Sequence, residues 1–533
     1  MTSTVTEPTF SFADLWQLVC TAVPQRTAVV CGQRRCSFAE LDDRAARLAT
    51  WMKARGVGPG AFVGVQMRNA IEYVEAMLAA YKLRAVPVNI NYRLLEAELI
   101  HLYRDSGLVG VIHDSDLAAR ISTVQHSTPD LSWTLCRGAD YEAAIATSPP
   151  LSRSNGHSGD DPYVLYTGGT TGKPKGVVWR MEDAFFACIG GGDPTASLGP
   201  ISRPDQIVER IQDGYAFLPA APLIHAAGMW TTLRWLLAGA KVVLLPDFSP
   251  TQIWTAIAVE RVTVMNIVGD AMARPLLDAL AASDHLDLSC LRTIATGGAP
   301  LTPATRARLL TALPHLTVKD SYGSSETGVH GWSVHTSDSS DKTRFAVIDT
   351  VILDEHTLAE LPAGSTQAGI VARRDRTPIR YHNDEAKSAT TFLSLRGRRY
   401  ALTGDFAHLD ADGSLRLLGR GSQCINSGGE KIFPEEVEEV VRAHPGVMDA
   451  VVIGTADPRW GQRVTAIVAT AAGQTLASTD LRAHCRETLA AFKVPKDVVF
   501  VDQIHRTAAG KPDYVWAATV ADSLSETPQE MTN

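Results

Sequence analysis

Apolar positions at helical spacing alternate along the chain with short apolar runs of strand length. Between Leu41 and Met52 the apolar residues recur every three or four positions, which predicts a helix that Ser37 caps and Gly56 ends. The next apolar run, Phe62–Val65, predicts a buried strand, and a helix at 73–83 and a strand at 85–90 repeat the pattern. Further strands are predicted at Tyr163–Tyr166, Lys241–Leu245, Val262–Ile267 and Thr293–Ala295. Such alternation is typical of α/β proteins with largely parallel sheets.

The pattern changes near residue 420. Turn-forming residues cluster at Gly404, Asp410–Gly413 and Gly419–Gly421, and an acidic helix begins after Pro434. The remaining segments are predicted as helices at Glu435–Arg442 and Thr479–Leu489 and as strands at Ala450–Gly454, Val464–Thr470 and Val498–Val501. We therefore predict a large domain at residues 1–419 and a small α+β domain at 420–533.

Composition narrows the class of partner. The 533 residues include 50 Lys+Arg and 58 Asp+Glu, a net charge of −8, and 45% are hydrophobic. These values exclude a disordered, collagen-like or disulfide-framework chain. The chain has no block of Lys and Arg that would indicate nucleic acid or an anionic membrane, so a small-molecule partner is expected.

Targeting signals and cysteine motifs are not evident in the sequence. No apolar run reaches the roughly 18 residues of a membrane helix, and the first residues lack a signal-peptide pattern, so we expect a cytoplasmic protein. The 8 Cys form no C-x-x-C pair. They are interpreted as reduced, mostly structural thiols rather than zinc ligands.

The segment with the clearest chemistry is Tyr166–Gly176, which reads YTGGTTGKPKG. It follows a predicted strand and combines four glycines, two adjacent threonines and two lysines. Backbone N–H groups and cations of this kind suit a loop that holds phosphate oxygens. It is not a Walker A motif, because Pro174 follows Lys173 where Ser or Thr is required. The alternative is a surface hairpin in which the threonines and lysines are incidental.

Six further segments follow or accompany this loop in a fixed order: Pro222–Gly228, Thr296–Pro300, Tyr322–Thr327, Thr403–Asp405, Gly419–Arg420 with Ser427–Lys431, and Arg506–Lys511. Together with the loop they resemble the adenylate-forming superfamily of acyl- and aryl-CoA synthetases, peptide-synthetase adenylation domains and beetle luciferases. The resemblance covers nearly the whole chain. It implies an α/β fold, with a large N-terminal domain of stacked mixed and parallel sheets with helices and a small, mobile α+β C-terminal domain.

The resemblance also implies a reaction in two steps. A carboxylate attacks the α-phosphate of ATP and gives an acyl-adenylate and pyrophosphate, and a thiol then displaces AMP. ATP, Mg²⁺ and CoA are the implied cofactors. The implied partners are a small-molecule carboxylic acid, or its acyl-adenylate, and CoA, and the resemblance is compatible with a homodimer. The first step joins two anions, so it needs cations and N–H donors around the phosphates.

Roles at the phosphates follow residue by residue from the resemblance. The β- and γ-phosphates would be held by Thr167, Thr170, Thr171 and Lys175. Glu326 would bind Mg²⁺, and Ser325 would contact the α-phosphate. Without the surrounding motif, Glu326 would be interpreted as a solvated loop carboxylate.

Roles at the nucleoside follow in the same way. Tyr322 would stack on adenine, Asp405 would accept hydrogen bonds from the ribose hydroxyls, and Arg420 would assist at ribose or phosphate. The wall around base and substrate would consist of Gly297, Gly298 and Ala299.

Five residues are assigned to the acyl transfer itself. Lys511 would bridge the substrate carboxylate and the α-phosphate region during adenylation, although a lysine in such a glycine loop is ordinarily a surface charge. In the second step, Gly428 and Gly429 would let pantetheine pass close to the backbone, and Lys431 would meet a CoA phosphate. His225 resembles the aromatic gate between acyl pocket and pantetheine tunnel; the alternative is a packed core histidine.

Within the superfamily, Gly419–Glu438 and Gly510–Tyr514 are similar to actinobacterial CoA ligases for bulky lipophilic acids, including steroid and terpenoid acids. Candidate pocket residues near the motifs are apolar or aromatic: Met229, Trp230, His330, Gly331 and Trp332. They supply no evident cation for a second charge, which favours a neutral hydrocarbon body.

Two departures from the superfamily keep alternatives open. Ser422 and Gln423 stand where many members carry an Asp pair after the hinge arginine, and Arg380 replaces a glycine before Tyr381. Arg380 would either hold a phosphate or obstruct the nucleotide site. The alternatives to a complete acyl-CoA ligase are a ligase that only thioesterifies a preformed acyl-adenylate, an adenylation enzyme that loads a carrier protein, a luciferase-like oxygenase and a non-catalytic nucleotide-binding regulator.

Overall fold

The computed structural model describes residues 7–152, 156–167, 174–283, 285–299, 301–338, 343–427, 430–457, 461–470, 474, 476–506 and 512–525. Two compact units are present: Met1–Leu301 with Thr305–Asp341 and Arg373–Leu402, and Thr302–Ala304 with Lys342–Ala372 and Thr403–Asn533. The predicted boundary at 419/420 lies inside the second unit and stays a prediction.

The helices of the described residues are α1 Phe12–Ala22, α2 Phe38–Lys53, α3 Ile71–Lys82, α4 Glu96–Ser106, α5 Ala118–Gln125, α6 Ala139–Ala146, α7 Met181–Ala187, α8 Ala226–Leu237, α9 Pro250–Glu260, α10 Gly269–Leu280, α11 Pro303–Ala312, α12 Glu385–Thr391, α13 Pro434–Ala443, α14 Ser478–Thr488 and α15 Tyr514–Ser525. Within the described ranges, none of these helices has the length and apolarity needed to cross a lipid bilayer.

The strands before residue 340 are β1 Thr27–Cys31, β2 Arg34–Ser37, β3 Phe62–Gln66, β4 Val86–Asn89, β5 Gly110–His113, β6 Trp133–Cys136, β7 Pro162–Thr167, β8 Lys175–Arg180, β9 Ala216–Pro219, β10 Lys241–Leu244, β11 Val264–Ile267, β12 Thr293–Gly297, β13 Thr317–Ser324 and β14 Gly328–His335. Those after it are β15 Phe345–Val347, β16 Thr350–Leu353, β17 Glu360–Leu361, β18 Gly369–Arg374, β19 Arg380–Tyr381, β20 Phe392–Leu395, β21 Arg398–Leu409, β22 Ser414–Arg420, β23 Ile425–Ser427, β24 Glu430–Ile432, β25 Val447–Asp457, β26 Gly461–Thr470 and β27 Asp497–Val501.

Helix α2 shows why local sequence determines these elements. Ser37 accepts a hydrogen bond from the backbone N–H of Glu40, and the Glu40 side chain reaches back to the backbone of Ser37, so both ends of a capping box are present. Gly56 adopts a positive φ of 86° two residues after the C-cap, Ala54. The predicted helix, its cap and its stop are confirmed, and the strand predicted after it is β3.

Three sheets organise the first unit. The large sheet runs in the order β14, β13, β12, β11, β9, β10, β1, β2, and its pairs are parallel except β13 with β14 and β1 with β2. A second sheet, β4, β3, β5, β6, is parallel throughout. The third, β19, β8, β7, is antiparallel. The predicted α/β class with stacked mixed and parallel sheets is confirmed.

Each face of the large sheet packs against a different layer. On β11, Val264 belongs to the hydrophobic cluster that includes Met229 and Trp230 of α8. The adjacent Met265 points to the opposite face, where the cluster contains residues of α9, α10 and α11. Successive strand residues alternate between faces, so the same two layers apply to β12 and β13.

The second unit contains two groups of strands. The pairs β16 with β17, β15 with β22, and β21 with β22 are antiparallel. After residue 424, β25 pairs with β26, and β27 joins β26 in parallel, with α13 and α14 packed on hydrophobic residues of these strands. The strand and helix predictions for residues 435–501 are confirmed.

Candidate active site

The two strands that flank the predicted phosphate loop end side by side. Thr167, the last residue of β7, is opposite Lys175, the first residue of β8, in an antiparallel pair. Both side chains are half-buried. Thr170 and Thr171 lie outside the described residues. The structure therefore brings together Thr167 and Lys175, the two ends of the predicted loop.

A tyrosine connects Lys175 with Glu326. The Tyr381 hydroxyl donates to Oε1 of Glu326 at 3.0 Å. Lys175 Nζ lies 5.8 Å from the centre of the Tyr381 ring and pairs with Oδ2 of Asp384 at 2.6 Å. Burial, and then the Glu326 carboxylate, raises the pKa of Tyr381, so the hydroxyl stays a donor at neutral pH. A cation and a carboxylate thus flank one neutral phenol.

The turn that carries Glu326 is held by its own hydroxyl groups. The Ser324 hydroxyl accepts from the backbone N–H of Glu326 at 3.2 Å and lies 3.1 Å from the hydroxyl of Thr327. The indole N–H of Trp179, on β8, donates to the carbonyl oxygen of Ser325 at 3.1 Å. Ser325 and Glu326 are consequently fixed against the strand that begins at Lys175.

One buried amide links the phosphate-loop strand to the segment before His225. The Asn89 amide nitrogen donates to the carbonyl oxygens of Tyr166 and Ile224, at 3.0 and 2.6 Å. Its side-chain oxygen accepts from the backbone N–H of Tyr166 at 3.0 Å. All hydrogen bonds of the buried amide therefore lock the end of β7 to the turn that precedes α8.

His225 is the N-terminal cap position of α8 and is half-buried. Burial, and then the positive charge of Arg93, lowers the pKa of His225, so its imidazole is neutral at physiological pH. A neutral ring is also better suited than an imidazolium to the partial positive charge at a helix start.

The predicted nucleoside wall lies at the ends of β12 and β13. Tyr322 stacks on His330 with ring centres 5.0 Å apart. Gly297 is the last residue of β12, and a Cβ there would lie 3.1 Å from the carbonyl oxygen of Ser321. Gly298 has a positive φ of 82°, and Ala299 follows it, half-buried. The glycines allow the close approach and the sharp turn at this edge.

The other predicted residues belong to the second unit or lie outside the described residues. Asp405 on β21 is buried and is paired in register with Arg420 on β22. Lys431 is described only by its backbone, in β24 opposite Asn426. Gly428, Gly429 and Lys511 lie outside the described residues.

Arg380 lies outside the cluster around Glu326. It is exposed on β19, opposite Val178, whereas the next residue, Tyr381, is opposite Val177. Because adjacent strand residues point to opposite faces, Arg380 points away from the face that carries Tyr381 and Lys175. The cation therefore does not enter the cluster around Glu326.

Sequence reasoning missed Tyr381, Asp384 and Asn89 as parts of this site. Asp384 carries a recognisable signal, since it caps α12 by accepting from the backbone N–H of Lys387. Tyr381 adjoins the noted Arg380, but its contact with Glu326 bridges 55 positions of the chain. Asn89 at the end of a buried strand was a usable signal, because buried amides require partners.

The charges of the cluster suit a nucleotide polyphosphate with a divalent cation. Lys175 can neutralise phosphate oxygens, and one oxygen of Glu326 is free of the Tyr381 contact. In the described part of the chain, no group of three or more His, Cys, Asp or Glu could hold a metal by itself. A cation at Glu326 would need further oxygen ligands, which phosphates supply.

Comparison with known families gives two matches. The AMP-binding enzyme family matches residues 16–376, and the AMP-binding enzyme C-terminal domain matches residues 436–511.

Curated relatives match over nearly the full length. The chain is 40% identical to a 3-oxocholest-4-en-26-oate–CoA ligase of Rhodococcus rhodochrous over 530 residues, 95% of each chain. It is also 40% identical to a medium/long-chain-fatty-acid–CoA/3-oxocholest-4-en-26-oate–CoA ligase of Mycobacterium marinum, over 95% of this chain and 96% of the relative.

A solved structure shares the fold. The anthranilate CoA ligase AuaEII in complex with anthranoyl-AMP superimposes with a TM-score of 0.83 and 23% identity, over 99% of this chain and 100% of that chain.

Proposed function

Because the chain belongs to the AMP-binding enzyme family, we propose that it is an ATP-dependent acyl-CoA ligase that activates a bulky hydrophobic carboxylic acid as its acyl-adenylate and transfers the acyl group to CoA. The observation that carries the proposal is the 40% identity to a ligase of the same reaction class over 95% of both chains. The relatives' names point to steroid and fatty acids, so we place the substrate among large lipophilic acids.

The first half-reaction forms a bond between a carboxylate oxygen and the α-phosphorus of ATP and breaks the bond to pyrophosphate. Lys175 and Thr167 would hold the leaving phosphates, with Thr170 and Thr171, and Ser325 would contact the α-phosphate. Lys511 would bridge the carboxylate and the α-phosphate. Such cations stabilise the charge that develops as two anions meet.

The roles at the nucleoside are proposed residue by residue. Tyr322 would stack on adenine, Gly297, Gly298 and Ala299 would form the wall, and Asp405 and Arg420 would bind the ribose. Glu326, fixed by Tyr381, would hold Mg²⁺, which supplies charge neutralisation at the phosphate oxygens when bound.

The second half-reaction forms a bond between the CoA sulfur and the acyl carbon, and AMP leaves with the oxygen that had joined them. Neutral His225 would stand between the acyl pocket and the thiol's path. Gly428 and Gly429 would line that path, and Lys431 would meet a CoA phosphate. Because the residues named for the two steps differ, the proposal includes domain alternation between the half-reactions.

The experiment separates the two steps. Purified protein is incubated with steroid, diterpenoid, fatty and aryl acids, ATP, Mg²⁺ and CoA, and pyrophosphate and acyl-CoA are quantified separately by mass spectrometry. Synthetic acyl-adenylates are tested in parallel with CoA and with a holo-carrier protein. Joint formation of pyrophosphate and acyl-CoA supports the proposal. Acyl-CoA from adenylates alone, or acyl transfer to the carrier alone, would replace it with one of the narrower activities.

A matched variant tests the role of Glu326. Glu326→Gln keeps the size of the side chain and its acceptor for Tyr381 but removes the charge. We expect pyrophosphate release to fall about 100-fold, as for loss of one electrostatic contact to a transition state, while CoA transfer from a preformed adenylate changes little. Equal loss in both assays would contradict a role confined to adenylation.

We extend the proposal to the protein's state in the cell. It would be a cytoplasmic homodimer without nucleic-acid partners. Light scattering of the purified protein measures the mass, and a monomer mass across the working concentration range would refute the dimer.

A further inference from the structure

One face of β12 and β13 is left open. On this face Ala295 stands beside Lys319, and Gly297 stands beside Ser321. All four are half-buried, whereas Ile294 and Val318 on the opposite face of the same strands are completely buried. The large sheet therefore has a partly uncovered strip on the side that faces α8.

The strip has walls on both sides. On β11, the amide of Asn266 donates to the carbonyl oxygen of Ala227, so α8 covers that strand. On β14, Trp332 stands opposite Ser321 and is half-buried. The uncovered strip is thus a groove between α8 and Trp332; we call it the β12–β13 groove.

The groove starts at the candidate active site. Gly297 and Ser321 lie immediately before Gly298 and Tyr322, which belong to the predicted nucleoside wall. Lys319 is two residues back along β13, about 7 Å farther from that edge at the rise of a strand. An acid whose carboxyl group lies near the wall can extend its hydrocarbon body along the groove toward Lys319.

Lys319 stands at the far end of the groove with unused hydrogen-bonding capacity. Its ammonium donates to the carbonyl oxygen of Thr195 at 3.1 Å and lies 4.4 Å from the centre of the Trp332 ring. Among the described residues, no other oxygen accepts from its three N–H groups. A half-buried ammonium with spare donors is costly, and a ligand oxygen would relieve that cost.

The segment that holds Lys319 is rigid. The Asp193 carboxylate accepts from the backbone N–H groups of Thr195, Leu198 and Gly199 at 3.2, 2.6 and 2.7 Å. The half-buried Arg234 of α8 donates to the carbonyl oxygen of Ile189 at 2.9 Å. The end of the groove is therefore pre-organised rather than adaptable.

The protonation state of Lys319 allows it to donate hydrogen bonds to a ligand. Burial, and then the like charge of Arg234, lowers its pKa to about 8, and Asp193 opposes the shift. Most molecules are therefore protonated at neutral pH. The amine is a cation within a pocket region for which the sequence indicated only apolar and aromatic residues.

We propose that Lys319 selects acids whose hydrocarbon body carries a keto or hydroxyl oxygen, to which its ammonium donates a hydrogen bond at the end of the β12–β13 groove. The inference rests on the proposed ligase function and adds a polar requirement to its substrate. A site built to hydrogen-bond an oxygen rejects the analogue that lacks it, because the half-buried donor is then left without that partner.

The test compares matched acids. Palmitic acid, hydroxypalmitic acids with the hydroxyl at successive positions from carbon 6 to carbon 16, and a steroid acid with and without a ring keto group are assayed for acyl-CoA formation. We expect the wild type to prefer one hydroxyl position, or the keto acid, in kcat/KM. In Lys319→Met, of similar length and neutral, this preference is expected to fall about 10-fold or more.

Two control variants distinguish recognition of the acid by Lys319 from a purely structural role of this residue. Lys319→Arg keeps the charge and is expected to retain most of the preference, and Lys53→Met makes the same change on the exposed surface of α2. A purely structural role would lower kcat/KM equally for both members of a pair and leave the ratio unchanged. A ratio that stays within twofold in Lys319→Met overturns the inference, whereas a wild type inactive on every acid refutes the ligase function itself.

Discussion

A single buried histidine sets part of the pH response of the fold. His330 is fully buried and stacked on Tyr322. Burial, and then the positive charge of Arg373, lowers its pKa to about 3. The unfolded chain binds a proton near pH 6.5 and the folded chain does not, so this group destabilises the fold as the pH falls from 6.5 toward 3.

His330→Phe tests this sign. Phenylalanine keeps a stacked ring but does not titrate. Between pH 7.5 and pH 5, we expect the wild type to lose about 2 kcal/mol more free energy of unfolding than the variant, measured by urea titration at both pH values. If both proteins lose the same amount, the histidine is not the titrating group.

The proximity of single residues was predictable where the sequence places them in one short motif. Lys175 and Thr167 were indicated by the glycine-rich segment and meet as neighbours in the structure. Lys319 was not indicated, because its position on an open face depends on which strands α8 covers. Arg380 was noted as a departure, yet only strand alternation shows which way it points.

At the scale of elements, Asn89 at the end of β4 connects that strand to β7 and to the turn before α8 by hydrogen bonds. Asn89→Leu, of similar volume, removes three hydrogen bonds to backbone groups and leaves those groups buried. We expect the end of β7 and His225 to shift relative to each other. A misplacement of about 1 Å can cost 100-fold in rate, so kcat for acyl-CoA formation is expected to fall by 10- to 100-fold.

Asn89→Asp provides the comparison. It keeps an acceptor for the Tyr166 N–H but places a buried carboxylate oxygen against the carbonyl oxygens of Tyr166 and Ile224, so kcat is expected to fall at least as far as in Asn89→Leu. Far-UV circular dichroism and thermal midpoints show whether the variants fold. A fully active Asn89→Leu protein with a lowered thermal midpoint would mean that the Asn89 hydrogen bonds contribute to stability alone.

Elements were predictable when their signals were local. The capping box of α2 lies within four residues, and the buried strands are continuous apolar runs, so both were evident. The arrangement of residues 342–372 with 403–533 in one unit was not, because it depends on contacts between strands far apart in sequence. The order of strands in the large sheet has the same long-range origin.

At the scale of the whole molecule, the end of the chain has its own core. Two hydrophobic clusters draw only on residues between Ile425 and Ala521. This favours the predicted boundary at 419/420, because a region with its own core can fold alone. The structure's second unit also includes strands before that boundary.

Separate expression of residues 1–419 and 420–533 tests the boundary. We expect both pieces to unfold cooperatively in calorimetry and neither to form acyl-CoA, because Lys511 and the groups around Glu326 are then on different chains. An aggregated or non-cooperative 1–419 piece would place the boundary nearer residue 403, where the second unit resumes.

Neighbouring residues of β12 and β13 are under different constraints, because one face of these strands is in the core and the other is open. Ile294 and Val318 are committed to the buried core, whereas their neighbours Ala295 and Lys319 contact little of it. Substitutions at Ala295 and Lys319 are therefore expected to cost the fold less than substitutions at Ile294 and Val318. Under the proposed function, descendants of this protein can therefore change which acids they accept through substitutions at these positions. The core residues of the same strands meanwhile remain under purifying selection.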